Sequence, residues 1–120
     1  MPKKILVVDD DATLVRALGM VLRYHGFEVL SALSGEQAVA VVAKACPDLV
    51  LLDLTMPGMD GWTACRHIRV SCSTPIILLS GRQLSEQEIT QKLGDFNVSK
   101  YLVKPVRNEA LLEAVRTVLG

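Results

Sequence analysis

Residues 48–61 read DLVLLDLTMPGMDG, and this segment determines which kind of sheet the chain can build. Its first part, Asp48–Leu52, is a short and almost continuous apolar run, which is typical of a parallel strand that is covered on both faces. Proline and glycine then mark a turn. Runs of the same kind recur along the chain, so we predict five strands: Lys4–Val8, Phe27–Leu33, Asp48–Leu52, Pro75–Leu79 and Lys100–Val103.

Helical patterns lie between these runs. Apolar residues spaced by three and four predict a first helix around Leu14–Leu22, with Asp10 or Asp11 as its N-cap and Gly26 at its end. The same spacing predicts four more helices, which start after Ser34, start near Asp60-Gly61, or run over Leu84–Leu93 and Val106–Leu119. This alternation predicts an α/β fold: a doubly wound, five-stranded parallel sheet with five helices on its two faces.

The composition of the chain excludes several classes of protein. Half of the 120 residues are apolar, which excludes intrinsic disorder, and no apolar run approaches the roughly 18 residues of a membrane span. Thirteen basic and thirteen acidic residues leave no net charge, which argues against a nucleic-acid-binding surface. The first residues do not resemble a signal peptide and the chain shows no linker, so we expect one compact cytoplasmic domain.

The cysteines also favour a cytoplasmic location. Cys46, Cys65 and Cys72 are odd in number and lack the C-x-x-C spacing of metal and redox motifs. We therefore expect buried or idle thiols, in keeping with a cytoplasmic location.

Polar side chains follow four of the predicted strands. Asp9–Asp11 follow the first strand, Asp53 the third, Ser80 the fourth and Lys104-Pro105 the fifth. In a doubly wound sheet the carboxyl ends of the strands share one crevice, so these residues should meet there. Clustered carboxylates need a cation such as Mg2+, and a lysine opposite can hold a second anionic group such as a phosphoryl. Each residue alone also fits a cap, a turn or a solvated lysine, but together they predict a site that moves phosphate.

Four segments together resemble the response-regulator receiver domain of bacterial-type two-component signalling. They are Ile5–Asp10, residues 48–61, Pro75–Gly81 and Tyr101–Pro105, in family order over nearly the whole chain. The resemblance implies a flavodoxin-like fold, like that of a chemotaxis regulator, with strand order 2-1-3-4-5. It also implies that residues 1–120 are a single receiver, or phosphoacceptor, domain and that this chain carries no output domain.

The resemblance assigns a role to each site residue. Asp53 is implied to be the phosphoacceptor, which takes a phosphoryl group from a histidine and becomes an aspartyl phosphate. Lys104 is implied to pair with a phosphoryl oxygen, and Ser80 to donate a hydrogen bond to one. The ligands implied for Mg2+, for which Mn2+ can substitute, are Asp9, Asp10, Asp53 and the backbone carbonyl of Thr55.

Other positions are implied to tune the switch. Ser80 moving towards the phosphoryl group would leave space for Tyr101, at the position of the family's switch aromatic; an ordinary half-buried strand tyrosine is the alternative. Thr55 and Arg82 stand where the family tunes the lifetime of the phosphate. The Lys104–Pro105 bond is commonly cis in the family.

The resemblance implies a signalling switch, not an enzyme beyond its own phosphorylation and slow autodephosphorylation. Its partners would be a sensor histidine kinase or histidine phosphotransfer protein, and an output domain or downstream protein. The implied output face comprises the fourth helix, fifth strand and fifth helix. We expect no direct contact with nucleic acid or membrane, and any dimer to depend on phosphorylation.

Two alternatives use related chemistry or topology. A haloacid-dehalogenase-type hydrolase also forms an aspartyl phosphate, but Asp53-Leu54-Thr55 lacks the second carboxylate of its D-x-D motif. A flavodoxin-like cofactor binder would need a Ser/Thr/Gly-rich phosphate loop after the first strand, where this chain has three acids. The receiver domain is therefore the main hypothesis.

Overall fold

The structure, a computed structural model, describes residues 2–54, 56, 58–59, 61–81, 84–88, 90–91 and 98–120. The strands are β1 Lys4–Val8, β2 Glu28–Ala32, β3 Leu49–Asp53, β4 Ile76–Ser80 and β5 Lys100–Val103. The helices are α1 Ala12–Tyr24, α2 Gly35–Ala45, α3 Gly61–Ser71, α4, of which helical residues 86–88 and 90–91 are described, and α5 Asn108–Leu119. None of the helices in these ranges has the length and apolar content that crossing a membrane requires.

The strands form one parallel sheet in the order β2-β1-β3-β4-β5. This confirms the predicted doubly wound, flavodoxin-like fold with strand order 2-1-3-4-5. From β1 the chain moves outwards to β2 and then returns past β1 to β3, so the direction of winding reverses between β1 and β3. In open α/β sheets, ligands bind in the crevice that such a reversal opens outside the carboxyl ends of the strands.

Both faces of the three central strands β1, β3 and β4 are buried, which explains their continuous apolar runs. Alternate side chains of a strand point to opposite faces, so each run contributes to two separate cores. One core packs against α2 and α3 and includes the strand residues Leu6, Val8, Val50, Leu52, Ile76 and Leu78. The other core packs against α1 and α5 and includes the strand residues Ile5, Val7, Leu49, Leu51, Ile77 and Leu79.

The element boundaries differ slightly from the predicted ones, for local reasons. β2 is shorter than predicted because the Phe27 amide donates to the Leu22 carbonyl at the end of α1, and the Leu33 amide donates to the Gln37 side chain in α2. The amides that flank β2 on both sides thus donate to the neighbouring helices and do not extend the strand. β3 and β4 begin and end one residue later than predicted, and α5 begins two residues later, at Asn108.

Two cysteines meet at the edge of the sheet where β3 and β4 begin. Cys46 follows α2 and Cys72 follows α3, and a disulfide joins them, with their Cα atoms 6.0 Å apart. The expectation of idle or buried thiols is therefore wrong for these two residues, whereas Cys65 does lie in the core. Sequence spacing did not reveal the pair, because it forms only when β3 and β4 become neighbours in the sheet.

Candidate functional site

The carboxyl ends of four strands bring the predicted site residues to one edge of the sheet. Asp9 directly follows β1, Asp53 ends β3, Ser80 ends β4 and Lys104 directly follows β5. The side chains of the first three are buried, with at most 2% of each residue exposed, and Lys104 is partly exposed. The crevice predicted from the sequence therefore exists and contains these residues.

Three carboxylates form a compact cluster in this crevice. One oxygen from each of Asp9, Asp10 and Asp53 lies within 4.8 Å of the other two. Asp10 is exposed, so solvent reaches the cluster from its side. Carboxylates at this spacing repel one another when ionised, and hard divalent cations with oxygen ligands, Mg2+ among them, offset that repulsion. The donor set of the cluster therefore fits Mg2+.

Lys104 brings positive charge to this acidic cluster. Its Nζ atom donates to Asp9 Oδ2 at 2.6 Å and lies 3.3 Å from Asp53 Oδ1. Burial is the largest single influence on this ammonium and lowers its pKa, but the hydrogen bond to Asp9 and the charges of Asp53 and Asp9 together outweigh it. The pKa of Lys104 is therefore raised above its ordinary value, and the ammonium is charged at neutral pH.

The three consecutive acids after β1 have different positions in the fold. Asp11 is the N-cap of α1, since its carboxylate accepts hydrogen bonds from the amides of Thr13 and Leu14 at 3.0 and 3.3 Å. Asp9 accepts a hydrogen bond from the Asp11 amide at 3.0 Å, which orients its carboxylate. Of the two cap candidates, the structure uses Asp11 and leaves Asp10 to the acidic cluster.

Gly61 positions the backbone that carries Asp53, although the sequence marked it only as the start of a helix. A Cβ atom on Gly61 would lie 2.5 Å from Leu54 Cα and 2.7 Å from the Asp53 carbonyl oxygen. The Gly61 amide also donates to the Leu54 carbonyl at 2.8 Å. α3 thus packs directly on the end of β3. In the sequence, the only sign of this close approach is the glycine at the end of segment 48–61, and a glycine alone does not show which residue it contacts.

The end of β5 is anchored next to the end of β4. The Lys104 amide donates to the Ser80 carbonyl at 2.7 Å. The Lys104–Pro105 peptide bond is cis, the isomer that the resemblance implied. Beside them, a Cβ atom on Gly81 would meet no described atom within 4 Å. Lys104 is therefore held at the crevice by its backbone hydrogen bond to Ser80.

The remaining predicted residues lie apart from the cluster or outside the described chain. Tyr101 is half-buried in β5 and packs against the core on the side of α2 and α3. Both a switch aromatic and an ordinary strand tyrosine fit this position. Thr55 and Arg82 lie outside the described residues, so the metal ligand and the influence on phosphate lifetime assigned to them stay predictions.

Comparison with known proteins identifies the family. Residues 5–116 match the family model described as the response regulator receiver domain. The chain belongs to this family. The receiver domain is 39% identical over 117 residues to the DNA-binding response regulator MtrA of Mycolicibacterium paratuberculosis, and the match covers 97% of this chain and 51% of the relative. The chain thus spans about half the length of the curated relatives it matches.

Solved structures agree with this assignment. Chemotaxis protein CheY4 of Vibrio cholerae matches the receiver domain with a TM-score of 0.90 at 31% identity, over 99% of this chain and 100% of that chain. The BeF3-activated N-terminal receiver domain of Klebsiella pneumoniae RstA matches with a TM-score of 0.85 at 34% identity, over 97% of each chain.

The comparisons also bear on two expectations from the sequence. MtrA is named as DNA-binding, which conflicts with the expectation that the chain has no nucleic-acid partner. The match covers only about half of MtrA. The haloacid-dehalogenase alternative receives no support, since the family match is to receiver domains.

Proposed function

We propose that this receiver domain accepts a phosphoryl group on Asp53 and acts as a two-component signalling switch. The observation that carries the proposal is the setting of Asp53: a buried carboxylate at the end of β3, 3.3 Å from the Lys104 ammonium and clustered with Asp9 and Asp10. Membership of the receiver family supports the same function. Residues 1–120 are proposed to act in it as a single receiver domain.

In the proposed reaction, a carboxylate oxygen of Asp53 attacks the phosphorus of a phosphohistidine on a sensor kinase or phosphotransfer protein. The P–O bond to Asp53 forms and the P–N bond breaks, and the imidazole leaves with the electron pair of the broken bond. Asp53 becomes an acyl phosphate. Such a transfer depends mainly on positioning and charge neutralisation, with little covalent work for other side chains.

The residues around Asp53 meet these two needs. Lys104 already lies beside the Asp53 carboxylate, where it would contact a phosphoryl oxygen, and the Ser80 hydroxyl would donate a hydrogen bond to another. Asp9, Asp10 and Asp53 would hold Mg2+, with Mn2+ able to substitute. When bound, this ion supplies positive charge against the negative charge of the transferred group.

Phosphorylation would then change the contacts of the output face. A phosphoryl group adds nearly two negative charges and three acceptor oxygens beside Lys104. It shifts the domain between two states only as far as its interactions differ between those states. We propose that Ser80 and Tyr101 transmit this difference to α4, β5 and α5.

The proposed partners are proteins. Upstream stands a sensor histidine kinase or histidine phosphotransfer protein, and downstream an output domain or separate protein, with dimerisation on phosphorylation as one outcome. The thirteen basic residues of the chain are balanced by thirteen acidic ones, so its composition has no basic excess. We propose a cytoplasmic location and no enzymatic turnover beyond the domain's own phosphorylation and slow autodephosphorylation.

Intact mass spectrometry after incubation with acetyl phosphate and Mg2+ tests the proposal. We expect one phosphoryl adduct on the wild type, and none on Asp53→Asn or in the presence of excess chelator. Asp11→Asn is the matched control, because asparagine caps a helix as well as aspartate does and the adduct should persist. An adduct of equal yield on Asp53→Asn would contradict the assignment of the acceptor.

Beryllium trifluoride provides a second test that needs no phosphodonor. It is a tetrahedral mimic of a phosphoryl group, and the receiver domain of RstA is described as BeF3-activated. With Mg2+ present, we expect it to raise the melting temperature of the wild type and to leave that of Asp53→Asn unchanged. Equal shifts in both proteins would show binding elsewhere.

A further inference from the structure

The disulfide between Cys46 and Cys72 lies at the opposite end of the sheet from the acidic cluster. Cys46 directly follows α2 and Cys72 directly follows α3, with their Cα atoms 6.0 Å apart. Cys46 is exposed and Cys72 is half-buried. A disulfide that includes an exposed cysteine residue can undergo exchange with thiols in solution, because such exchange requires access for the attacking thiolate.

The backbone of Cys46 is in an unusual conformation for a cysteine. With φ 37° and ψ 74° it is left-handed, and among the described residues it is the only non-glycine with a positive φ. Glycine is the usual residue at such a helix end, since a Cβ atom is unfavourable there. The position thus favours glycine on backbone grounds alone, which leaves the bond to Cys72 as the interaction that a cysteine adds.

Hydrogen bonds hold the two cysteine segments together independently of the disulfide. The Thr74 hydroxyl donates to the Pro47 carbonyl at 2.6 Å, which ties the residue after Cys46 to the segment that follows Cys72. Arg69 donates to the carbonyls of Cys72 and Thr74, which shapes that segment. Reduction would leave these bonds in place, so the two thiols would remain close enough to join again.

We propose that Cys46 and Cys72 form a reversible redox site that reacts with low-molecular-weight thiols and disulfides. The geometry carries this inference, and the proposed cytoplasmic location adds to it, because disulfides there are mostly transient or redox-sensing. In the reduced protein the Cys46 thiolate attacks a sulfur of oxidised glutathione and expels one glutathione thiolate. The Cys72 thiolate then attacks the Cys46 sulfur and expels the second. Two thiols and one glutathione disulfide thus become the protein disulfide and two glutathione thiols.

Thiol trapping across a glutathione redox series tests this site. Protein equilibrated with reduced and oxidised glutathione is quenched with acid and alkylated under denaturing conditions. Its intact mass is then measured by mass spectrometry. We expect oxidised glutathione to remove two alkylatable thiols from the wild type and from Cys65→Ser, and excess reduced glutathione to restore both. Cys46→Ser and Cys72→Ser should never lose two.

Three results would overturn the proposal. Both thiols could stay alkylatable in excess oxidised glutathione, the disulfide could resist excess reduced glutathione, or a stable glutathione adduct could accumulate on Cys46. The second result would show a permanent structural disulfide. None of these readouts involves phosphoryl transfer, so the redox site and the proposed function can fail separately.

Melting temperatures provide an independent test through Cys46→Gly. In the oxidised state we expect the wild type to melt roughly 10 °C above this variant, because the bond restrains the unfolded chain. In the reduced state the order should reverse, with the variant about 3 °C higher, because glycine suits the left-handed backbone. The same order in both states would contradict the account of Cys46.

Discussion

At the carboxyl ends of the strands the receiver domain brings charges together, whereas at the amino ends it ties the chain with hydrogen bonds and a disulfide. At the carboxyl ends, called the charged end, the carboxylates of Asp9, Asp10 and Asp53 lie beside the ammonium of Lys104. Among these four described residues, negative charge is in excess. Like charges held together disfavour the compact state, but they give the site affinity for a cation.

At the amino ends of the strands, called the tied end, the contacts are hydrogen bonds and the disulfide. The buried Thr74 hydroxyl donates to the Pro47 carbonyl, and the Lys4 amide donates to the Asp48 carboxylate at 2.7 Å. These contacts join segments that belong to or enter neighbouring strands. The two ends therefore differ in the contacts that hold them: clustered carboxylates and an ammonium at the carboxyl ends, hydrogen bonds and a disulfide at the amino ends. Substitutions at the two ends should accordingly differ in their effect on cation binding.

The largest effect is expected from Gly61→Ala, which would disturb the packing that supports the charged end. A Cβ atom 2.5 Å from Leu54 Cα must displace backbone, so we expect a loss of about 3 kcal/mol in the free energy of unfolding, measured in urea. Gly81→Ala is the control, since no described atom lies within 4 Å of the added Cβ atom, and should change stability by less than about 0.5 kcal/mol. Equal losses in the two variants would refute the close approach of α3.

Lys104→Met tests the electrostatic interactions at the charged end. Without Mg2+ we expect a loss of about 1–2 kcal/mol in the free energy of unfolding, because the buried Asp9 carboxylate loses its charged partner while the ammonium itself is partly exposed. Mg2+ should bind the variant more tightly than the wild type, because the ammonium no longer competes for Asp9. Urea unfolding with and without MgCl2 measures both effects.

The exposed Lys44 of α2 offers the control for this variant. Lys44→Met removes the same charge from a site remote from the cluster and should leave both stability and Mg2+ affinity nearly unchanged. Weaker Mg2+ binding in Lys104→Met than in Lys44→Met would mean that the ammonium assists the cation and does not compete with it.

Thr74→Val tests the tied end alone. Removing the buried hydroxyl leaves the Pro47 carbonyl without this donor, so we expect a loss of about 1 kcal/mol in urea unfolding. Mg2+ affinity should not change, because the acidic cluster lies at the other end of the strands. Thr117→Val, on the exposed face of α5, is the matched control, and a change in Mg2+ affinity with Thr74→Val would break the proposed separation of the two ends.

The smallest effect is expected from alkaline pH. Because the pKa of Lys104 is raised in the folded protein above its ordinary 10.5, its contribution to stability is fully present below that value. It is lost as the pH rises through the higher, folded-state pKa. The stability difference between the wild type and Lys104→Met should therefore stay constant from about pH 7 to 9 and shrink above about pH 10.5. A difference that shrinks already below pH 9 would contradict the direction of this pKa shift.

Local sequence patterns were sufficient to predict the fold and most of the residues at the charged end. Short apolar runs such as Leu49–Leu52 can be recognised because a strand buried on both faces needs apolar side chains in succession. The ends of these runs are equally visible, so Asp9, Asp53, Ser80 and Lys104 could be placed at one edge once the strands were taken as parallel. The boundaries of β2 were less predictable, because hydrogen bonds to α1 and α2 end it early.

Sequence patterns alone therefore predicted the parallel sheet and the meeting of acids, hydroxyl and lysine at its edge. The structure was needed to assign the α1 cap to Asp11, to show α3 resting on β3 through Gly61, and to pair Cys46 with Cys72. The physical reason is that periodicity and strand ends are properties of neighbouring residues in the chain. A cap, a close approach or a disulfide depends instead on which atoms of separate elements meet after the strands have found their neighbours.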